Sequence, residues 1–329
     1  MIQKITATWI VAIVLMLTIS IAGTAYYFSV FARGGRTKLV VSTTTSLYDT
    51  GLLDTVEEMF EAKYPIDLYF ISVGTGLAIR HAEGGDADMI LVHDPSRERA
   101  FLAGGYGVCR KILAHNFFII VGPEGDPAEI RGLSPIQTLE KIVDAGRKAE
   151  VVWVSRGDDS GTHAKERALW RAADFDWEAL RDEDWYREAG AGMGKTLQVA
   201  NEFSAYTLTD IGTFFKYHKE GLITLVALVD QGKELLNVYS AIAVNPTLHP
   251  EANFEAAINL IKFLVSEEGQ KIIDEYGQDV YEEKLFHPSV KLLREDTDPI
   301  IAGWIREFAY FNGTECPEEY RDGHSELYD

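Results

Sequence analysis

Ser155-Arg-Gly-Asp-Asp-Ser-Gly-Thr-His163 lies between two segments of opposite character. Before it, Val151-Val-Trp-Val154 is apolar without a break and mostly β-branched, the composition of a buried strand. After it, Ala164 to Ala173 is built from strong helix formers. The nine residues therefore read as a strand–loop–helix turn, with Ser160, Gly161 and Thr162 at the helix start. A helix start presents unpaired backbone N–H groups and the positive end of the macrodipole, so it favours an anion. Gly161 lets the backbone approach closely, Ser160 and Thr162 add hydroxyls, and Arg156 adds a permanent charge on a planar fork of donors. Taken singly, a Ser or Thr here is an N-cap and a loop Arg is solvated. Together they suit a small oxyanion. Asp158 and Asp159 are expected to turn outward or to hold Arg156 in place.

The same arrangement recurs towards the N-terminus. Leu39-Val-Val41 leads into Ser42-Thr-Thr-Thr-Ser46, five hydroxyl residues ahead of an amphipathic stretch from Gly51 to Tyr64. Asp67 to Ser72 reads as a strand ending in Val73-Gly-Thr-Gly76, with a helix from Leu77 to Ala82. Asp88 to Val92 is a further buried strand closed by His93-Asp-Pro95, and Phe117 to Val121 another, running towards a crossing at Pro123. Pro135 opens a helix after Ser134. Ala205 to Asp210 is a short strand meeting a helix start, Leu235 to Val244 a return strand, and Glu251–Val265 and Glu267–Tyr276 consecutive helices, the second capped by Ser266. Ala189-Gly-Ala-Gly-Met-Gly-Lys-Thr196 fits a relaxed phosphate-loop pattern. The polar run Asp184 to Glu188 before it is not expected to form the buried strand such a loop requires.

Thirty-one basic against fifty-one acidic residues leave a formal charge of −20, which argues against nucleic acid as a partner. That charge does not exclude an anion, because salt screens the general field beyond about 8 Å and local donors decide. Two cysteines, Cys109 and Cys316, give neither a disulfide framework nor a zinc pattern, and one bridge between them stays open. Ile5 to Ala32 holds 28 residues without Asp, Glu, Lys or Arg. That is long enough to cross a bilayer, which takes about 20 residues. Residues 1–37 are thus expected to form an N-terminal transmembrane anchor, with a cleaved signal as the alternative; either is an export segment.

Thr43-Thr-Thr-Ser46, Val73-Gly-Thr-Gly76, Leu91-Val-His-Asp-Pro95, Arg156-x-x-x-Ser160-Gly-Thr162 and Ala205-Tyr-Thr-Leu-Thr-Asp210 occur in an order that resembles the tungstate-binding proteins of tungsten-uptake ABC transporters. The resemblance spans roughly residues 38–288. It implies an α/β, two-lobed type II solute-binding fold with two crossing strands: residues 38–122 and 236–298 in one lobe and 123–235 in the other, while residues 299–329 form an acidic extension beyond the family's usual end. It implies ligand contacts at Thr44, Thr45, Ser46 and Thr75 of the first lobe and at Arg156, Ser160, Gly161 and Thr162 of the second. It implies tungstate or molybdate as ligand, an ABC permease as partner, and soluble lobes on the extracytoplasmic side of the cell membrane. Neither a cofactor nor a resident metal nor a catalytic residue is expected. Lys195 departs from the family's small or neutral residue.

Three alternatives stand beside this reading. One is a protein for phosphate or another oxyanion, and another is an anchored anion sensor without a transporter. The last is a serine hydrolase using Ser160 and His163 with Asp158 or Asp159. The spacing around Ser160 does not match a Gly-x-Ser-x-Gly elbow, and His163 is expected on the outer face of its helix.

Overall fold

The chain alternates strand and helix from its first described element, and that alternation sets the sheet. The computed structural model describes residues 35–158 and 160–329. The expected N-terminal anchor and Asp159 lie outside the described residues. Among the described residues, no helix is long and apolar enough to cross a membrane.

The first part runs β1 (Thr37–Thr44), α1 (Thr45–Tyr48), α2 (Leu52–Lys63), β2 (Ile66–Val73), α3 (Thr75–Glu83), β3 (Met89–Val92) and α4 (Pro95–Ala103). Helical crossovers make β1 parallel to both β2 and β3. All three strands thus deliver their carboxyl ends, and the hydroxyl-rich loops that follow, to one edge. β4 (Gly107–Gly122) then runs for 16 residues. After it come α5 (Pro135–Arg147), β5 (Trp153–Ser155), α6 (Gly161–Ala172), α7 (Trp177–Leu180), β6 (Tyr186–Glu188), α8 (Met193–Glu202), β7 (Thr207–Asp210), α9 (Ile211–Lys219) and β8 (Val226–Val229). β9 (Leu236–Val244) returns. The chain closes with α10 (Phe254–Val265), α11 (Glu267–Glu275), α12 (Gln278–Tyr281), β10 (His287–Pro288), α13 (Val290–Glu295) and α14 (Pro299–Ala309).

The main sheet has the order β10-β4-β9-β3-β1-β2, with β7 and β8 also on β4. β4 serves two cores. Up to Phe117 it pairs antiparallel with β9; from Phe118 it pairs with β7 and β8. One core gathers Leu39, Val41, Phe60, Leu113, Ala241 and Phe263. Another gathers Ile120, Ile142, Trp153, Trp170, Tyr206 and Leu208. β4 and β9 are thus the strands that cross between the two lobes.

Sequence and structure part in three places. Phe117–Val121 was the only part of β4 legible as strand, and the sheet changes partners at Phe118 rather than Pro123. The run before Ala189 does contain a strand: β6 pairs in parallel with β5, with Tyr186 buried and Arg187 and Glu188 exposed. His163 is not on an outer face; it is 4% exposed and its ring stacks edge-on against Trp177 at 5.3 Å. Trp177 begins α7, and that short helix covers the side of α6 which looked solvated in sequence.

The last 30 residues are built onto the body rather than trailing from it. Ala302, Ile305 and Ala309 of α14 pack on Ile112, Leu236 and Val238 of the crossing strands. Glu307 accepts from Lys233, and Phe308 lies 4.8 Å from Lys165 Nζ, so α14 also touches the second lobe.

Candidate functional site

Five loops at strand ends converge, three from the first lobe and two from the second. In the first, Thr43 Oγ1 donates to Leu91 O at 2.9 Å and Ser42 Oγ meets His81 Nδ1 at 3.2 Å, so these two hydroxyls are committed to the scaffold. Thr44 Oγ1 caps α1 by accepting Leu47 N–H at 3.3 Å and lies 3.3 Å from Ser46 Oγ. Ser46 Oγ lies 3.3 Å from His93 Nε2. Thr45 and Ser46 are half-buried at the cleft. In the second loop, Thr75 opens α3 behind Gly74 and is buried. In the third, Asp94 caps α4 through Ser96 N–H and Arg97 N–H, which leaves the preceding His93 at the mouth of β3.

The loop after β5 faces them. Gly157 takes φ +64°, a left-handed turn that a side chain resists, and a Cβ there would stand 2.8 Å from Glu188 Cβ. The turn brings Asp158 back under Arg156: Asp158 Oδ2 accepts from Arg156 Nε at 2.8 Å, and its Oδ1 from Ser160 N–H at 3.2 Å. The expectation that this aspartate holds the arginine is met. Ser160 Oγ caps α6 by accepting His163 N–H at 3.2 Å. The Gly161 and Thr162 N–H groups are the first of the helix and have no carbonyl behind them. Thr162 Oγ1 is buried and has no hydrogen-bond partner in the structure. An orphaned hydroxyl of that kind is costly unless something fills the space in front of it.

The lobes touch at these loops. A Cβ on Gly161 would lie 3.2 Å from Thr75 Oγ1 and 3.1 Å from the His93 ring, and one on Gly212 only 2.8 Å from Thr50 Cγ2. The structure thus brings Thr75 of the first lobe against Gly161 of the second. Arg156 is 6% exposed, and its charge bears on Asp49 and His93 from one lobe and Asp210 from the other. Burial pushes His93 down to about 4, with Arg156 adding to it, so the ring is neutral at pH 7. Burial raises Asp210, against the pull of Thr213 and Arg156; its carboxylate is engaged as the cap of α9, accepting Thr213 N–H and Oγ1. Beside Gly161 and His93 a cleft of about 390 Å³ opens between Phe118, Lys165, Asn237 and Phe308. Burial pushes Lys165 down to about 8, and its Nζ donates to Leu236 O at 2.8 Å.

Below the loop sits a group that the sequence did not reveal. Glu166, on the inner face of α6, accepts from Trp153 Nε1 (2.7 Å), Ser155 Oγ (2.8 Å), Trp170 Nε1 (3.1 Å) and Tyr186 OH (2.6 Å). It ties β5, β6 and α6 together directly behind Arg156. A Glu four residues before a Trp in a helix was the only trace of it. His93 and Asp210 were likewise unassigned, although both stand where a strand ends and a helix begins, the position shared by every loop in the cluster.

This arrangement offers one guanidinium, several hydroxyls and a helix start to a small anion. Ser160 Oγ, the nucleophile of the hydrolase alternative, is engaged as the cap of α6 by accepting the His163 N–H. Residues 31–268 match the model of the PBP superfamily domain. A Haloferax volcanii protein, whose name assigns it anion binding in an ABC transporter, is 44% identical over 247 residues, 74% of this chain and 70% of that one. The tungstate-binding protein TupA of Peptoclostridium acidaminophilum is 36% identical over 287 residues, 85% of this chain and 97% of that one. The solved structure of the tungstate-binding protein TupA from Desulfovibrio alaskensis G20 is 38% identical with a TM-score of 0.69, covering 77% of this chain and 98% of that one. The chain belongs to the PBP superfamily and, within it, to the family of the tungstate-binding proteins.

Proposed function

We propose that this chain is the extracytoplasmic solute-binding subunit of an ABC transporter, capturing tungstate, and molybdate as a close analogue, between its two lobes. Thr44, Thr45, Ser46 and Thr75 hold the anion from the first lobe, and Arg156, Ser160, Gly161 and Thr162 from the second. The observation that carries the reading is the meeting of Thr75 with Gly161 beside a buried Arg156 and an unpartnered Thr162 hydroxyl. Asp158 is already occupied by Arg156 and the Ser160 N–H, and Asp210 by Thr213, so two of the nearby carboxylates are spoken for. With those two carboxylates engaged, a site built mainly of donors suits a proton-free dianion better than phosphate, which keeps a proton near neutral pH. Residues 1–37 hold the lobes at the membrane, where a permease receives the ligand; the lobes are 38–122 with 236–298, and 123–235. The support for the anchor is the uncharged run Ile5–Ala32.

Titration calorimetry tests the site. Arg156→Ala is expected to weaken tungstate binding about 100-fold or more, since hydrogen bonds to a charged group contribute roughly 1.5–3 kcal/mol each. Asp158→Ala should weaken it far less, and Arg156→Lys should recover part of the loss. Parent affinity in Arg156→Ala would place the site elsewhere. In competition at pH 7, tight phosphate binding that weakens as pH rises would reveal an acidic acceptor in the pocket and overturn tungstate as the ligand.

A further inference from the structure

We propose that Cys109 and Cys316 are joined by a disulfide in the mature protein, stapling the C-terminal extension to the central strand. The inference rests on geometry remote from the anion site. Cys109 lies in a bulge of β4: the register steps from Val108 opposite Ala243 to Lys111 opposite Ala241, and Cys109 takes φ +55°, rare for a residue with a side chain. The extension docks on this bulge residue by residue. Arg110 donates to Glu315 O at 2.8 Å, Lys111 Nζ to Glu315 Oε2 at 2.8 Å, and Ile112 N–H to Glu315 Oε1. That places Cys316, the next residue, beside Cys109. The two thiols donate to neighbouring carbonyls, Cys109 Sγ to Arg321 O at 3.1 Å and Cys316 Sγ to Tyr320 O at 3.7 Å. Arg321 Nε in turn donates to Cys316 O at 3.0 Å. Both cysteines are fully buried.

The chemistry balances with a small disulfide oxidant of the glutathione class. Each thiol loses its proton, the pair gives up two electrons as the S–S bond forms, and the oxidant R–S–S–R leaves as two R–SH. Burial, with Cys316 close by, pushes the Cys109 thiol up to about 12, so the folded, reduced chain has little thiolate with which to react. The bond therefore forms while the extension is docking, not after. It closes a loop of roughly 200 residues, which removes freedom mainly from the unfolded chain.

The test is made on the full chain, unfolded and then refolded in a mixture of reduced and oxidised glutathione. Thiols are trapped by an alkylating reagent under denaturing conditions and the products weighed. The expected product carries no alkyl group, weighs two hydrogens less than the reduced chain, and yields one digest fragment joining the Cys109 and Cys316 peptides. Two alkylated cysteines, a mixed disulfide with glutathione or a disulfide-linked dimer would each overturn the proposal. The oxidised chain should melt roughly 5–10 °C above the reduced one, and Cys316→Ala should melt with the reduced form. Equal melting of oxidised and reduced chains would remove the stapling role. Neither readout involves the anion, so failure here leaves the binding function standing.

Discussion

His93 shows how a residue becomes readable only in three dimensions. In sequence it is a histidine between a buried strand and Asp94-Pro95, and nothing there separates a ligand contact from a packed ring. In the fold its ring lies on the Gly161 backbone, against Tyr239 at 5.0 Å and beside Ser46, and burial holds it neutral. Its pKa of about 4 lies below the ordinary 6.5 of the unfolded chain. Between those values the unfolded chain binds a proton that the folded one refuses, so stability is full above pH 6.5 and falls as pH drops towards 4. The share is about 2–3 kcal/mol at pH 4.5. Urea unfolding at pH 7 and 4.5 should therefore show a smaller drop for His93→Gln than for the parent, and equal drops would mean that the ring is hydrated. Arg156, Ser160 and Thr162 stood out as candidates because a guanidinium and two hydroxyls in one short loop are informative without partners. Glu166 was not, because its meaning lies in four donors drawn from three elements.

Elements bounded by strong local signals were readable nearly to the residue. The helix after Ser134 has its Pro at the first turn and a reciprocal cap with Gln137. Ser266 both ends one helix and caps the next. β4 was mostly unreadable. The part before Phe117 carries Arg110, Lys111, His115 and Asn116, all buried, so the apolar pattern that marks a core strand is missing. Their partners come from other elements: Arg110 pairs with Glu98, Lys111 with Glu315, His115 with Ser289 and Asn116 with Leu285 O. Long-range partners leave no periodic trace in a local window. The loop opening α6 gives a sharper test of how elements meet. Gly161 stands against Thr75 and His93 of the opposite lobe, so a methyl there crowds the closed cleft and neither lobe's own packing. Gly161→Ala should weaken anion binding roughly tenfold, about 1.4 kcal/mol, while leaving the ligand-free melting temperature unchanged. A matched loss of stability would show that the glycine serves folding instead.

On the scale of the molecule, two lobes share β4 and β9, and the anion donors proposed here are divided between them. A ligand held by both sets must favour the closed arrangement over the open one, by the difference between its affinities for the two. Small-angle scattering should record a smaller radius of gyration with tungstate than without. An unchanged profile despite tight binding would assign all the donors to one lobe. The two-lobed plan was expected from the family resemblance, and the repeated strand–loop–helix units aiming their helix starts at one cleft agreed with it; the reach of the C-terminal helix to both lobes was not expected, because nothing in its sequence says which surface it covers. One further property follows from the Glu166 network. Trp153 and Trp170 meet edge-to-face at 5.2 Å, Trp170 and Trp185 at 6.3 Å, and the first two indoles are hydrogen-bonded to the carboxylate that underpins the anion loop. The protein thus carries a set of intrinsic fluorophores in its second lobe, shielded from water and wired to the floor of the cleft. If the proposed anion site is right, their emission should change on addition of tungstate, with no added dye; emission that stays constant at saturating tungstate would show that the network does not sense the cleft.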